Sequence, residues 1–329
     1  MGRILLFNPS HEMALAANAT QYTPPKLIRQ METDLCRLPL LWAEEGDSVL
    51  TTEGSVDSNA VPAPWGWNKS VRNRFLRLGV DAALMPSEQQ LDTWRTYASR
   101  AWAADYCNVL YRHLHNGLVP NHVCFLHSQT DYEAWLSKYG SVPFIVKAEY
   151  SSSGRGNRVF NSQLSTFNFH PISIDTFYGK LLDFAMEYEV NRQEVRYLGL
   201  SVFETTHEGR YAFNYLCSQQ QLRKMIVCHL PDVSVIDKLV DIHCQLLSER
   251  LLGQYEGIVG IDMMVVQGGL VHPCVEINLR MNMGVVAMKI FERGLTSLPR
   301  HLYGGQSFYP VVDDGKFYIA YTSTPSGEQ

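Results

Sequence analysis

The stretch from Gly257 to Gly284 reads GIVGIDMMVVQGGLVHPCVEINLRMNMG and contains two extended runs on either side of a Gly-Gly pair. Two such runs around paired glycines are typical of a β-hairpin. The second run alternates apolar and polar side chains, so its polar residues share one face. These polar residues are His272, Cys274, Glu276, Asn278 and Arg280. We therefore predict a hairpin that carries carboxylate, amide and guanidinium groups on one face.

The turn between the two runs decides whether Asp262 of the first run lies on that face. A three-residue loop from Gln267 to Gly269 places Asp262 opposite Cys274, diagonal to Glu276 and on its face. A two-residue loop at 268–269 places Asp262 on the other face. A joint role for the two carboxylates therefore requires an odd-length loop or a bulge.

Two carboxylates and an amide oxygen on one face suit Mg²⁺, because this ion prefers oxygen ligands and takes only a few of them from protein. Asp262, Glu276 and Asn278 are therefore candidate metal ligands. Arg280, beyond them, is a candidate for gripping a phosphate or carboxylate with its guanidinium fork. The alternative is a solvated strand face without a chemical role, since charged hairpins are common.

Composition limits the classes of function. The chain has 329 residues, is 46% apolar and carries a net charge of −5, which indicates a globular protein of two or three domains. A basic excess that would favour nucleic acid is absent, and no run approaches the ~18 apolar residues that a membrane span needs. The start of the chain shows no signal-peptide pattern, and its seven cysteines form no CxxC pair. We expect a cytoplasmic protein with reduced cysteines.

Residues 1–97 alternate predicted strands and helices, which indicates a small α/β domain with a parallel sheet. The first strand leads into a polar loop with the sequence NPSHE. Ligands tend to bind beyond the carboxyl ends of strands in open α/β sheets. The candidate substrate-binding residues are therefore Asn8, Ser10, His11 and Glu12. The alternative is that Ser10 caps a helix and His11 is a surface residue.

A second candidate site follows an apolar strand over 142–148 that contains Lys147 near its end. The next segment, SSSGRGN at 151–157, is a loop of small residues whose backbone N–H groups could cradle phosphates. The candidate contacts in this loop are Ser152, Ser153, Gly154 and Gly156. The segment matches neither a P-loop nor a dinucleotide fingerprint, and the alternative is an ordinary hairpin loop.

Periodicity and turn residues predict the other elements. They include a strand at 80–85, a helix at 173–184, extended segments at 186–190, 194–203 and 210–217, a helix at 233–252, a last helix at 285–293 and a hairpin at 308–321.

Taken together, the order and spacing of these pieces over about 99–284 resemble the ATP-grasp superfamily. That family has a basic residue at the start of the first helix of its nucleotide half, which Arg100 resembles. It has a lysine at the end of a strand before a glycine-rich loop, which Lys147 and 151–156 match.

The second half of the resemblance lies in an adenine-binding hinge and a metal-binding hairpin. Glu187 and Glu194 have the seven-residue spacing of the family's hinge and ribose glutamates, and the backbone from Tyr188 to Val190 would meet adenine. The family holds Mg²⁺ with an acid on one strand and Glu-x-Asn on the next. Asp262, Glu276 and Asn278 match this pattern, and Arg280 matches the branch with an Asn-x-Arg ending.

The resemblance implies a fold of the α/β and α+β classes. It consists of an N-terminal Rossmann-like domain at 1–97, two ATP-grasp subdomains at 98–185 and 186–300, and a C-terminal tail with a hairpin at 301–329.

The resemblance also implies an ATP- and Mg²⁺-dependent ligase, with Mn²⁺ as an alternative ion. It would form ADP and activate a carboxylate as an acyl phosphate for attack by an amine, or a thiol, of a small metabolite or peptide-like acceptor. Arg100 and Lys147 would hold the α/β-phosphates, and Arg280 would stabilise the acyl phosphate. Arg196 is a candidate for the acceptor pocket, where the family's second subdomain often lends basic residues. A homodimer is compatible with this interpretation.

Three departures from the family pattern leave alternatives open. Arg100 stands where lysine is common, and the loop has only two glycines. Gly260 stands where some ligases of the family have arginine, which argues against the branch that resembles D-alanine ligases. A non-catalytic ATP-binding sensor or regulatory protein on the same fold, and an ATP-grasp kinase, are the competing interpretations.

Overall fold

The computed structural model of the chain describes residues 2–51, 57–151, 157–161, 171–206 and 209–294. The chain divides into two compact units. Among the described residues, the first unit comprises those up to Thr93, the short segment Tyr215–Cys217 and those from Arg280 to Gly294; the second comprises those within Trp94–Asn214 and Ser218–Leu279. The four domain boundaries that we expect from the sequence stay a prediction.

The first unit is built on a parallel sheet, as its alternating sequence pattern predicts. Its elements are β1 (Arg3–Leu6), α1 (His11–Ala17), α2 (Lys26–Asp34), β2 (Ser48–Val49), β3 (Val61–Pro64) and α3 (Lys69–Arg77). The strand order is β2-β1-β3, and both pairs are parallel. The central strand β1 is apolar and buried because a parallel sheet is covered on both faces. Ile4 and Leu6 pack into one cluster with Phe75 of α3, whereas Phe7 packs with Trp65 in another.

The second unit begins inside a helix and continues into an antiparallel sheet. Its first elements are α4 (Glu88–Tyr97, shared between the units), α5 (Arg100–His113), β4 (Cys124–Leu126), α6 (Gln129–Tyr139), β5 (Phe144–Ala148), β6 (Arg158–Phe160) and β7 (Ile172–Thr176). The strands form a sheet in the order β4-β7-β5-β6. Phe144 and Ile174 of this sheet are fully buried and pack against Tyr132 and Trp135 of α6.

A five-stranded antiparallel sheet completes the second unit. Its elements are β8 (Lys180–Val190), β9 (Val195–Thr205), β10 (Tyr211–Asn214), α7 (Gln219–Val227), α8 (Ser234–Leu251), β11 (Gly257–Val266) and β12 (Leu270–Asn278). The strand order is β10-β9-β8-β11-β12. The helix α8 buries Val235, Leu239 and Leu246, a spacing that forms one apolar stripe, as the sequence pattern predicts.

The predicted helix over 173–184 is wrong, because these residues form β7 and the start of β8. The apolar residues of short runs fit helical and extended periods alike, and pairing with neighbouring strands decides between them. Gly179 in the connection also disfavours a helix; an added Cβ there would lie 2.8 Å from the Gln267 side chain.

One further prediction differs from the structure, one helix was not predicted, and one prediction lies outside the described residues. The predicted strand at 80–85 is a short 3₁₀ turn at Ala82–Leu84, which begins where Asp81 Oδ1 accepts the N–H of Ala83 at 2.9 Å. The helix α7 is missing from the sequence prediction, although Ser218 and Gln221 form the capping box that marks a helix start. The predicted hairpin at 308–321 lies outside the described residues.

The last described helix, α9 (Met283–Glu292), belongs to the first unit. Asn282 caps it by accepting the N–H of Val285 at 3.0 Å, and Val286 and Ile290 pack in the cluster that contains Trp65. Within the described part of the chain, every helix is too short or too polar to cross a membrane. The predicted mixture of α/β and α+β structure is confirmed; the Rossmann-like character of the N-terminal domain stays a prediction.

Candidate functional site

The hairpin of β11 and β12 has the odd-length loop that a shared face requires. Val266 pairs with Leu270, so the loop is the three residues from Gln267 to Gly269. Gly268 and Gly269 have φ angles of 90° and 72°, which glycine adopts without strain. Of the two loop lengths left open by the sequence, the structure therefore has the three-residue one.

A bulge in β12 then shifts the pairing beyond the loop. Met264 pairs with His272, but the next recorded pair toward the open end of the hairpin is Asp262 with Glu276. One residue of β11 therefore faces the three residues at 273–275. Proline at position 273 has no N–H to donate to the ladder, which is a physical reason for the break at this point.

The bulge changes the partner of Asp262 but not its face. It inserts two extra residues, and an even shift preserves the alternation of side chains. Glu276 lies directly opposite Asp262, so the predicted pairing with Cys274 is wrong. Cys274 is buried, and burial raises the pKa of its thiol to about 12, in agreement with a packing role.

The polar face extends across four strands of the sheet in two adjacent rows. The first row is Ser201, Ala185, Asp262 and Glu276; the second is Gly199, Glu187, Gly260 and Asn278. Residues that pair directly share a face, as do residues two apart along one strand. Because Gly260 lies between Glu187 and Asn278, no side chain separates these two on that face.

Hydrogen bonds orient the side chains of this face. Asn278 Nδ2 donates to Asp262 Oδ2 at 3.1 Å, so the amide oxygen is the atom of Asn278 suited to a cation. Ser201 Oγ donates to Glu187 Oε1 at 3.0 Å, and Glu187 is fully buried. Among the described residues, no group of three or more His, Cys, Asp or Glu side chains is placed to hold a metal ion. The donor set is instead two carboxylates and an amide, which fits Mg²⁺ when phosphates and water supply the other ligands.

Arg100 connects the start of α5 to this hairpin. Ser99 caps the helix by accepting the N–H of Trp102 at 3.1 Å. Arg100 Nη2 donates to Glu276 Oε1 at 3.0 Å and to Ser151 Oγ at 3.1 Å, and its Nε donates to the carbonyl of Ala148 at 3.0 Å. The buried guanidinium therefore contacts the end of β5, the start of the small-residue segment and the hairpin.

Lys147 belongs to the same group of charges. Burial lowers its pKa, and the neighbouring Arg100 lowers it further, whereas Asp175 and Glu276 raise it. Lys147 directly precedes Ala148, whose carbonyl accepts from Arg100 Nε. Arg100, Lys147 and Glu276, which are distant in sequence, are thus brought together in the second unit.

Solved structures with similar folds relate this geometry to known proteins. N5-carboxyaminoimidazole synthetase from Staphylococcus aureus, complexed with ADP, is 11% identical over 88% of this chain and 77% of the other, with a TM-score of 0.50. A biotin carboxylase–β,γ-ATP complex from Campylobacter jejuni is 14% identical over 93% of this chain and 73% of the other, with a TM-score of 0.51. The chain has the ATP-grasp fold. No family model and no curated protein matches its sequence.

The remaining nucleotide-site residues of the ATP-grasp interpretation lie as follows. Tyr188 and Val190 are buried near the end of β8, where they pair with β9 and β11. Glu194 is exposed at the turn into β9, and Arg196 forms an exposed ion pair with Glu189 at 2.5 Å. The loop residues Ser152, Ser153, Gly154 and Gly156 lie outside the described residues. The adenine, ribose, phosphate and acceptor roles of these residues stay predictions.

The polar loop after β1 is ordered by buried hydrogen bonds in the first unit. Asn8 Nδ2 donates to the carbonyl of Gly66 at 2.9 Å, and the N–H of Gly66 donates to Asn8 Oδ1 at 3.2 Å. His11 is buried and its Nδ1 lies 3.3 Å from Asn68 Nδ2. Ser10 makes no side-chain cap bond to α1. The alternatives of a surface His11 and a capping Ser10 are therefore both wrong.

Glu12 and Arg280 form an ion pair that the sequence pattern did not indicate. Arg280 Nε donates to a carboxylate oxygen of Glu12, and its Nη1 donates to the carbonyl of Met281 at 3.0 Å. Both side chains are mostly buried. Burial opposes ionisation of Glu12, but the charge of Arg280 outweighs it and lowers the pKa of this carboxyl. Two residues predicted for separate roles therefore act as one charged pair.

Acid is expected to destabilise the protein through His11. Burial lowers the pKa of His11 from 6.5 to about 4, so the unfolded chain binds a proton that the folded chain excludes between these pH values. The contribution of His11 to the free energy of unfolding is therefore complete above pH 6.5. It falls by about 3 kcal/mol as the pH drops toward 4. The measurement is chemical denaturation at several pH values for the wild type and for His11→Asn, whose amide oxygen can replace Nδ1.

His243 serves as an internal reference for this experiment. Burial lowers its pKa to about 3, and it is present in both proteins, so the difference between their pH profiles isolates His11. Parallel profiles for wild type and variant would contradict the prediction.

Proposed function

We propose that the chain binds ATP with Mg²⁺ and is a ligase that forms ADP. It would activate a carboxylate as an acyl phosphate, which an amine or thiol of a small metabolite or peptide-like acceptor then attacks. The observation that carries this proposal is the convergence of Asp262, Glu276 and Asn278 on one sheet face beside Arg100 and Lys147. Two similar solved structures are described as complexes with ADP and ATP, which supports the nucleotide in this proposal.

The proposed site assigns a role to each charged group. Asp262, Glu276 and Asn278 would hold the ion, whose charge counters that of the phosphates when it is bound. Glu276 is paired with Arg100. If Glu276 ligated a cation, Arg100 would share its carboxylate partner and could donate to phosphate oxygens beside Lys147.

Further assignments belong to the same proposal. Glu187 and Glu194 would bind adenosine, and Lys147 and Arg280 would stabilise the transferring phosphoryl group. The loop after β1 would contribute to substrate binding through Glu12, which holds Arg280. Carboxylate and amine substrates, a homodimer and a cytoplasmic location complete the proposal.

The test is ADP release by the purified protein with Mg-ATP and pools of carboxylic and amino acids. We expect substrate-dependent ADP and phosphate from the wild type, and none from Asp262→Asn/Glu276→Gln. A matched control is Asp241→Asn/Glu249→Gln, which removes two exposed carboxylates of α8 and should leave the rate unchanged. The control separates loss of the site from loss of net negative charge.

Each other outcome selects a different function. AMP with pyrophosphate would contradict the acyl-phosphate mechanism. A stable phosphorylated product without amide would favour a kinase, and ATP binding without turnover in any pool would favour a sensor. Failure to bind ATP at all would contradict the proposal in every form.

A further inference from the structure

A buried hydrogen-bonded pair joins the two sheets of the second unit. Asp175 lies on β7 of the four-stranded sheet, and His272 lies on β12 of the five-stranded sheet. His272 Nε2 is 2.7 Å from Asp175 Oδ2, and the exposed fractions of the two side chains are 3% and 8%. The pair is therefore a direct polar link between the strand beside Lys147 and the strand that carries Glu276.

The polar atoms of this pair are satisfied within the protein. The N–H of Cys274 donates to His272 Nδ1 at 3.4 Å, so the ring carries its proton on Nε2 and donates it to Asp175. The other carboxylate oxygen, Asp175 Oδ1, accepts the N–H of Thr176 at 2.7 Å. These bonds fix the orientation of both side chains.

Stability alone does not account for such a pair. Two polar groups removed from water lose hydration, and a well-packed apolar pair at the same place is often at least as stable. The specific gain from a satisfied buried network is a fixed geometry. We therefore consider which groups the Asp175–His272 hydrogen bond holds in place.

One end of the pair lies beside Lys147. On the paired strands β5 and β7, Lys147 is opposite Ser173, and Asp175 is two residues further along β7. Asp175 therefore shares the face of Lys147 and lies diagonal to it, within reach of a long side chain. The negative charge of Asp175 acts on the Lys147 ammonium from this position.

The other end of the pair lies at the bulge of β12. His272 is the last residue in regular register with β11, and Glu276 is the first residue paired after the bulge. His272 also accepts the N–H of Cys274 inside the bulge. The imidazole therefore holds the bulge at 273–275, and this bulge places Glu276 opposite Asp262.

We propose that Asp175 and His272 are positioning residues of the nucleotide site. They would hold Lys147 and the bulge of β12 in a fixed relation, so that the lysine and the two carboxylates of the hairpin act on the same Mg-nucleotide. Neither residue needs to touch the nucleotide. This inference rests on the proposed function, because it presumes that Mg-ATP binds at the hairpin.

The test compares binding of Mg-AMPPNP, measured by calorimetry, with thermal unfolding. We expect Asp175→Asn to weaken binding about tenfold or more, as losses of outer ligand contacts do at metal sites. His272→Gln keeps a donor toward Asp175 and should retain most of the wild-type affinity. The matched control is Trp135→Phe, which removes another buried hydrogen bond of this unit, 2.9 Å from Trp135 Nε1 to the carbonyl of His122.

The control distinguishes a positioning role from a general loss of stability, and the wild type tests the proposed function itself. Trp135→Phe is expected to lower the unfolding temperature while leaving the affinity within twofold of the wild type. Equal losses of affinity in Asp175→Asn and Trp135→Phe, or no loss in Asp175→Asn, would overturn the positioning role. A wild type that does not bind Mg-AMPPNP would instead contradict the proposed function itself, and this inference with it.

Discussion

Glu276→Gln is expected to lower Mg-ATP-dependent turnover by about 10³-fold, since a bound metal contributes several kcal/mol and each 1.36 kcal/mol is a factor of ten. The carboxylate of Glu276 faces two positive groups, the proposed metal ion and Arg100, and a neutral amide would bind either of them more weakly. Glu276 lies opposite Asp262 in the candidate metal site, and its Oε1 accepts from Arg100 at 3.0 Å. The substitution removes a candidate metal ligand and leaves the buried guanidinium of Arg100 without this counter-charge.

The diagnostic measurement is the Mg²⁺ concentration that gives half-maximal turnover. It should rise steeply in Glu276→Gln, because a neutral oxygen is a weaker ligand than a carboxylate. The matched control is Glu256→Gln, which removes a carboxylate from an exposed ion pair with Arg192 in the same unit. An exposed pair of this kind contributes little, so the control should keep wild-type kinetics. An unchanged Mg²⁺ requirement in Glu276→Gln would contradict the assignment of the metal site.

Local sequence patterns predicted much of the architecture because they act over short distances. The alternation along β12 predicted which of its own side chains share a face, whereas the loop length, and with it the face of Asp262, was open until the pairing of Val266 with Leu270 was known. The bulge was not predictable in detail, since Pro273 only marks a place where pairing breaks and does not set the size of the shift. Because the shift is of two residues, Asp262 and Glu276 still share a face, as predicted. The predicted pairing of Asp262 with Cys274 is wrong.

Long-range contacts were beyond any local pattern. The apolar residues at 173–184 also fit a helix, and only pairing with β5, β9 and β11 made them strands. The pairs Arg100–Glu276 and Asp175–His272 join residues 176 and 97 positions apart. The family resemblance suggested roles for Arg100 and Glu276 separately, but not their direct contact. No local pattern singled out Asp175 as a site residue, because a single acidic residue in a short strand is a common feature of sequences.

Arg280→Lys is expected to lower turnover by about 10²–10³-fold, the usual effect of removing one preorganised donor from developing charge, while Mg-nucleotide affinity stays near that of the wild type. The guanidinium of Arg280 is oriented by Glu12 through Nε and by the carbonyl of Met281 through Nη1. A lysine keeps the charge, but its single ammonium cannot hold these partners and present a flat fork to an oxyanion. The loss should therefore appear in kcat and not in nucleotide binding.

Glu12→Gln tests whether the orientation of Arg280 matters as well as its charge. The amide still accepts a hydrogen bond but loses the charge that fixes the guanidinium, so we expect a smaller loss of turnover than in Arg280→Lys. Arg192→Lys, at an exposed ion pair, is the matched control for an arginine-to-lysine change and should be silent. If Arg280→Lys weakened nucleotide binding and turnover equally, Arg280 would bind the ground-state nucleotide, and stabilisation of the acyl phosphate would have to come from another residue. Because Glu12 lies at the start of α1, a selective loss of kcat in both variants would tie the loop after β1 to the chemical step.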